Sequence, residues 1–267
     1  MSDSGRDRLR RLFTDAPGRA VFLPYMTAGL PTVGSSVDLF AAMAEAGADG
    51  FEVGIPYADP LMDGPTIMEA GERALAGGAT VDVCLEIVAE VVATTAKPVT
   101  VMTYVNPVLH GGVDVFCGRV ADAGASGLII ADLPIDEAPP FLAGATNHGL
   151  GFVVFAAPTT TAARLEAIAS ADPVFIYAVA DLGVTGIRRD ASSHLAGLSE
   201  RIRAVTPAPV VAGVGIATPD QASAAAGVAD GVIVGSALVR RVLDAPDAVT
   251  ASRVLAAATA ALAAAVH

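Results

Sequence analysis

Residues 51–66 read FEVGIPYADPLMDGPT, and this segment sets the pattern for the rest of the chain. It begins as a short apolar strand that carries one acid, Glu52, and it breaks at Gly54 and Pro56. A carboxylate in a buried strand is costly unless a function retains it. The segment therefore predicts a strand, a turn-rich loop and a helix start, with an acid at the end of the strand.

A second acid, Asp63, follows Glu52 by eleven residues and lies in a loop stiffened by two prolines. We interpret Thr66 as the cap of the next helix. Two carboxylates on different elements can exchange protons with different parts of a bound substrate. The structural alternatives are a Glu52 carboxylate bonded to a neighbouring strand and an Asx turn formed by Asp63.

Strands like this one recur along the chain and alternate with helical patterns. Eight strands are predicted, over residues 20–27, 49–53, 99–104, 127–131, 152–156, 174–178, 209–212 and 231–234. Predicted helices cover residues 5–15, 35–46, two segments within 66–96, 113–123, 136–147, 161–169, 219–226 and 246–266. Eight parallel strands close a barrel, so we predict an α/β fold: one TIM barrel, (β/α)8, over residues 1–267, with an extra N-terminal helix.

An open doubly wound sheet is the alternative fold, because its strands are equally apolar on both faces. No G-x-G-x-x-G motif follows the first strand, which argues against the dinucleotide-binding version of that sheet. Periodicity alone leaves the choice open.

Composition narrows the possible partners. The chain has 267 residues and a net charge of -12, so no basic face is expected for nucleic acid. The N-terminus lacks an apolar signal core, and no run approaches the ~20 apolar residues that a membrane span needs. We therefore expect a soluble cytoplasmic protein without nucleic-acid or membrane partners. Cys84 and Cys117 have no metal-ligand spacing and are interpreted as reduced, packed thiols.

Two residue types limit the chemistry. Lys97 is the only lysine, and it lies at the start of a strand, whereas Schiff-base and pyridoxal phosphate mechanisms need a lysine in the site. The four histidines show no pairing typical of zinc sites: His110, His148, His194 and His267. We expect no metal and no cofactor, which leaves acid–base chemistry by carboxylates.

Glycine-rich turns follow three late strands: residues 183–186, residues 213–216, and Gly235 with Ser236. In a barrel these loops meet at the carboxyl-terminal rim, where glycine lets backbone N–H groups approach an anion. Each turn alone is explained as a tight turn, but their recurrence predicts a phosphate site. Tyr25, Tyr104 and Tyr177 end strands one, three and six, as pocket lining or as core tyrosines.

Six motifs carry a resemblance to a known family: FEVGIPYADPLMDGPTI, MTYVNPV, IIADLP, GVTG, GVGI and VGSALV. In this order and spacing they resemble the alpha chain of tryptophan synthase, from about Tyr25 to Val239. The first motif is highly specific, whereas the glycine turns occur in many phosphate-binding barrels. The resemblance implies a barrel that cleaves indole-3-glycerol phosphate to indole and glyceraldehyde 3-phosphate.

The resemblance also implies residue roles. The catalytic acids would be Glu52 and Asp63, with Tyr177 beside the reacting glycerol chain. Substrate-binding roles would fall on Tyr25, Tyr104, Thr185, Gly186, Gly215, Gly235 and Ser236. The family implies a beta-chain partner that carries pyridoxal phosphate and receives indole, in an alpha2-beta2 heterotetramer. One departure is Tyr25, where the family more often has phenylalanine, and Leu30 replaces an acid in the next turn.

Three other functions stay open. A free-standing lyase that releases indole would share every catalytic residue. A different phosphate-binding barrel enzyme, such as an isomerase or a thiamine phosphate synthase-like transferase, would ignore indole-3-glycerol phosphate. A subunit without activity would only bind and activate a partner.

Overall fold

The computed structural model describes residues 3–179, 188–213 and 215–267. Its eight strands are β1 (Val21–Thr27), β2 (Phe51–Gly54), β3 (Val99–Thr103), β4 (Gly127–Ile130), β5 (Gly151–Ala156), β6 (Phe175–Val179), β7 (Val210–Gly213) and β8 (Gly231–Val234). Each strand pairs in parallel with the next, and β8 pairs with β1, which closes the barrel. The predicted TIM barrel is confirmed, and the open-sheet alternative is wrong.

Twelve α-helices surround the barrel in the described residues. They are α1 (Gly5–Thr14), α2 (Ser36–Glu45), α3 (Pro65–Ala76), α4 (Val81–Thr95), α5 (Val105–Gly111), α6 (Val113–Asp122), α7 (Pro139–Asn147), α8 (Ala162–Ser170), α9 (Arg188–Arg203), α10 (Pro219–Ala226), α11 (Ser236–Leu243) and α12 (Ala248–Val266). The strands are buried along nearly their whole length, because helices cover them outside and side chains from neighbouring strands fill the barrel.

The extra N-terminal helix closes the amino-terminal end of the barrel. Ser4 and Asp7 form a capping box at the start of α1. Leu9 is buried, and a Cβ added at Gly127 would lie 2.6 Å from its Cδ1. The Arg8 guanidinium donates to the carbonyl of Gly124 at 2.9 Å. The opposite, carboxyl-terminal end is therefore the end left for a site.

Three helices are absent from the sequence prediction: α5, α9 and α11. Two of them, α5 and α11, span only seven and eight residues, and α11 follows β8 after a single residue, Gly235. The third, α9, reads RRDASSHLAGLSERIR and offers few apolar residues to a periodicity test. The start of α3 is also corrected: Pro65 is its first residue and Gly64 its N-cap, so Thr66 lies inside the first turn.

The last helix corrects one expectation. By length and composition α12 is apolar enough to cross a membrane, which the sequence reading had excluded. Its buried residues include Ala251, Leu255 and Leu262, and the helix packs against α2, α10 and α11. This is the packing of an outer helix of the barrel. Both cysteines are free and buried, as predicted, and burial raises the pKa of Cys84 to about 12.

Candidate active site

Glu52 lies in the middle of the barrel wall, on β2. Its Cα is in register with Tyr25 on β1 and with Thr100 on β3. The residue is 2% exposed, and its Oε2 accepts no hydrogen bond from any described residue. The alternative of a carboxylate bonded to a neighbouring strand is therefore unsupported for this oxygen. An unpaired buried carboxyl oxygen is costly, and such costs concentrate at functional sites.

The environment of Glu52 favours its protonated form. Burial is the main cause, and the negative charge of Asp63 adds to it; together they raise the pKa of Glu52 to about 8. The carboxyl group therefore carries a proton near neutral pH. A carboxyl whose pKa lies near the operating pH can act as an acid and then as a base.

The loop that carries Asp63 is attached to the end of β3. The backbone N–H of Met62 donates to the Tyr104 hydroxyl at 3.1 Å. The rings of Tyr57 and Tyr104 lie 5.2 Å apart, and Asn106 Nδ2 donates to the Tyr57 hydroxyl at 2.8 Å. The residue before Asp63 is thus bonded to Tyr104, the residue that follows β3.

Asp63 is only partly buried, and two opposing effects set its pKa. Burial raises it, and the nearby Tyr104 hydroxyl lowers it, with burial the larger effect. In return, burial and then the charge of Asp63 raise the pKa of Tyr104, which stays protonated. The structure thus brings Asp63, Tyr104 and Glu52 into one electrostatic group. Thr185, to which the resemblance assigns a substrate-binding role, lies outside the described residues.

Tyr25 fills the space between β2 and the end of β8. Its hydroxyl is 3.2 Å from Thr27 Oγ1, inside the barrel. A Cβ added at Gly54 would lie 2.2 Å from the Tyr25 hydroxyl, and one at Gly235 would lie 3.4 Å from the Tyr25 Cβ. Only glycine at position 54 leaves room for this ring. Burial, followed by the charges of the two acids, raises the pKa of Tyr25.

Tyr177 is held in the same way on the other side of the barrel. A Cβ added at Gly213 would lie 2.3 Å from the Tyr177 hydroxyl and from its ring. The rings of Phe155 and Tyr177 lie 5.0 Å apart. Burial and then the charge of Glu52 raise the pKa of Tyr177, so this tyrosine faces the same acid. The charge of Glu52 thus acts on both Tyr177 and Tyr25, and all three side chains are buried inside the barrel.

The sequence analysis named Gly54 as a strand break and Gly213 as part of a glycine-rich turn, but not their close approach to Tyr25 and Tyr177. Both end short buried strands, where glycine weakens a strand and often marks a close approach. That signal was present in the sequence, but it does not say which side chain approaches.

Two of the predicted phosphate residues, Gly235 and Ser236, lie at the start of α11. Gly235 is the N-cap of this helix and Ser236 is its first, exposed residue. Gly215 adopts a φ of 78°, a conformation that favours glycine. Backbone N–H groups at a helix N-terminus have no partner within the helix and bind anions. Gly186 and the turn at 183–186 lie outside the described residues.

Asp132, the acid of the IIADLP motif, has a structural role. Its Oδ1 accepts from the backbone N–H of Val105 at 2.8 Å and so holds the start of α5. Among residues 3–179, 188–213 and 215–267, no group of three His, Cys, Asp or Glu side chains is arranged to hold a metal ion.

Comparison with known proteins identifies the family of this chain. The profile described as tryptophan synthase alpha chain matches residues 13–266. The chain belongs to the tryptophan synthase alpha chain family. Members of this family are lyases that cleave indole-3-glycerol phosphate and pass indole to a beta chain.

Individual relatives agree with the family profile over nearly the whole chain. The alpha chain of Salinispora arenicola is 50% identical, over 92% of this chain and 93% of that relative. A tryptophan synthase structure from M. tuberculosis has a TM-score of 0.87 and 40% identity, covering 97% of this chain and 98% of that chain. The alpha subunit of Legionella pneumophila has a TM-score of 0.88 and 32% identity, covering 99% of each chain.

Proposed function

We propose that Glu52 and Asp63 carry out the tryptophan synthase alpha reaction in this chain. The observation that carries the proposal is the carboxyl group of Glu52: buried, unpaired at Oε2, and raised in pKa to about 8 beside Asp63. The substrate is indole-3-glycerol phosphate, and the products are indole and glyceraldehyde 3-phosphate.

The bond that breaks joins indole C3 to the glycerol chain. The electrons of this bond need an acceptor, and protonation of C3 supplies one by converting the indole ring to an indolenine. We assign this proton to Glu52. The resulting carboxylate of Glu52 then takes the proton of the chain hydroxyl as the carbon–carbon bond breaks. One group thus acts as acid and then as base, as its pKa near neutrality permits.

Asp63 has a different part in the proposal. Its carboxylate accepts the indole N–H and stabilises the positive charge that develops on the ring nitrogen. Thr185 holds Asp63 in this position when the loops close over substrate. Tyr104 and Tyr25 line the indole pocket, and Tyr177 lies beside the glycerol chain. No metal or organic cofactor enters the reaction.

The phosphate group is assigned to the rim around α11. Gly235 and Ser236 offer backbone N–H groups at the helix N-terminus, and Gly215 and Gly186 offer close backbone approach from the neighbouring turns. The net charge of -12 makes such local binding necessary for an anionic substrate.

The proposed partner is a tryptophan synthase beta chain in an alpha2-beta2 heterotetramer. Apolar side chains on the catalytic loop are exposed in the described structure: Leu61 is 80% and Met62 63% exposed. Exposed apolar groups beside a site are typical of a protein interface. We also propose that residues 1–267 form one barrel domain and that the protein works in the cytoplasm.

The experiment is to measure indole release from indole-3-glycerol phosphate by the purified chain, with and without a tryptophan synthase beta chain. Slow release that rises strongly with the beta chain supports the proposal. Fast release by the chain alone indicates a free-standing lyase. If indole is released in neither assay, the proposed reaction is wrong, and the function of a different phosphate-binding barrel enzyme is favoured instead. Tight beta-chain binding without release in any assembly indicates a non-enzymatic subunit.

A further inference from the structure

The helices that follow the two halves of the site, α3 and α11, are joined by a group of charged side chains. Arg240 on α11 donates from Nη2 to Glu69 Oε2 at 2.8 Å and to Thr66 Oγ1 at 3.3 Å. Arg73 on α3 donates to Glu69 Oε1 at 2.5 Å and to the carbonyl of Leu243 at 3.0 Å. One carboxylate and two guanidiniums thus connect both helices at two points.

These bonds lie close to the residues of the site. Asp63 comes two residues before the start of α3, and Thr66 is the second residue of that helix. The N-cap of α3, Gly64, offers no side-chain hydrogen bond to the first turn. The Arg240 guanidinium is therefore a side-chain contact that holds this turn from outside the helix. At the other end of the connection, α11 begins with Ser236.

We propose that Arg240, through Glu69 and Thr66, is a positioning residue that fixes Asp63 relative to the phosphate-binding end of α11. The inference rests on the roles proposed above for Asp63, Gly235 and Ser236. The inference explains why Arg240 and Glu69 join these two helices. Asp63 and the phosphate site belong to separate loops, and the distance between them must match the length of one substrate. A misplacement of about 1 Å can cost ~100-fold in rate.

The charge state supports this connection. Hydrogen bonding by Arg240 is the main cause that lowers the pKa of Glu69, so the carboxylate is ionised at neutral pH. Both side chains are about one-third exposed, at 34% for Glu69 and 38% for Arg240. Pairs this exposed contribute little to stability. Loss of the pair is therefore expected to change the geometry of the site more than the stability of the fold.

The test compares Glu69→Gln with Glu72→Gln in the full chain with saturating beta chain. Glu72 is an exposed acid on the same helix and makes no ion pair within the described residues, so both variants lose the same charge. We expect Glu69→Gln to lower kcat about tenfold and to change KM by less than roughly twofold, because the phosphate contacts remain. Glu72→Gln should match the wild type.

A second variant, Arg240→Lys, keeps the charge but loses the fork that reaches both partners. It should lower kcat as Glu69→Gln does, and the double variant should be no slower than the slower single variant. Equal kcat in Glu69→Gln and Glu72→Gln, a loss confined to KM, or additive losses would overturn the proposal. If the wild type is active and any of these results is found, only the positioning role of Arg240 is wrong. If the wild type is inactive, the proposed function is wrong as well.

Discussion

At the scale of the residue, the Glu52 carboxyl group makes the sharpest prediction. Glu52→Gln keeps the size of the side chain and removes its ability to give and take a proton. We expect indole release to fall by a factor on the order of 10² to 10⁴, the usual contribution of a general acid or base. Steady-state assays with the beta chain measure the loss. Full activity in this variant would show that another group moves the proton.

The same residue predicts how stability depends on pH. The pKa of Glu52 rises from 4.5 to about 8 on folding, so the native state holds the proton more tightly than the unfolded state. Between these values the unfolded chain has lost the proton and the native chain has kept it. The free energy of unfolding therefore falls as pH rises, by about 1.4 kcal/mol per pH unit from this group.

Urea unfolding of the wild type and Glu52→Gln across this range checks the sign. The wild type should lose stability relative to the variant as pH rises from 4.5 towards 8. A constant difference between the two proteins across that range would mean that Glu52 has an ordinary pKa.

Residue identities in the site were accessible from sequence to different degrees. Glu52 and Asp63 were predicted because an acid in an apolar strand and an acid in a proline-bounded loop are both unusual. The pKa of Asp63, by contrast, could not be predicted from the sequence. The raised pKa in the structure comes from burial against neighbours distant in sequence, which local spacing does not reveal.

At the scale of the element, the ends of β2 and β7 control the two buried tyrosines. Gly213→Ala would place a Cβ 2.3 Å from the Tyr177 ring, so the ring or the strand must move. Overpacking of this kind costs about 1–3 kcal/mol in stability. We also expect kcat/KM to fall at least roughly tenfold, because Tyr177 is displaced from the glycerol chain.

Gly197→Ala is the matched control for this substitution. Gly197 lies in α9, and nothing lies within 4 Å of a Cβ added there. Alanine in a helix interior is favoured over glycine by about 1 kcal/mol, so this variant should be slightly more stable and fully active. Equal activity in Gly213→Ala and Gly197→Ala would mean that Tyr177 has no defined position in the reaction.

Elements differed in how well they could be predicted, for physical reasons. All eight strands were found within about two residues, because strands buried on both faces give continuous apolar runs. The helix α11 was missed although it begins at the proposed phosphate site. Its buried residues Leu238, Val239, Val242 and Leu243 have helical spacing, but the helix is short and follows β8 after a single residue, Gly235.

At the scale of the whole molecule, barrel closure explains why Tyr25, Glu52 and Tyr177, from β1, β2 and β6, lie near one another inside the barrel. The closure itself could be predicted only from the number of strands, since an open sheet has the same local pattern. The number of strands does not give their register, and in the structure the register places Glu52 level with Tyr25 on the neighbouring strand. The face that carries these residues also carries the exposed loop that is proposed to meet the beta chain.

Leu61→Asp tests that face directly, with Val249→Asp as its control. The two side chains are 80% and 81% exposed, but Val249 lies in the first turn of α12 on the outside of the barrel. A charge in a desolvated interface is costly, so Leu61→Asp should weaken beta-chain association by at least roughly tenfold. Titration with the beta chain, followed by the increase in indole release, measures this. Val249→Asp should titrate like the wild type, because no proposed contact involves α12. If both variants associate normally, the exposed loop is not the interface and the beta chain must reach the alpha chain by another face.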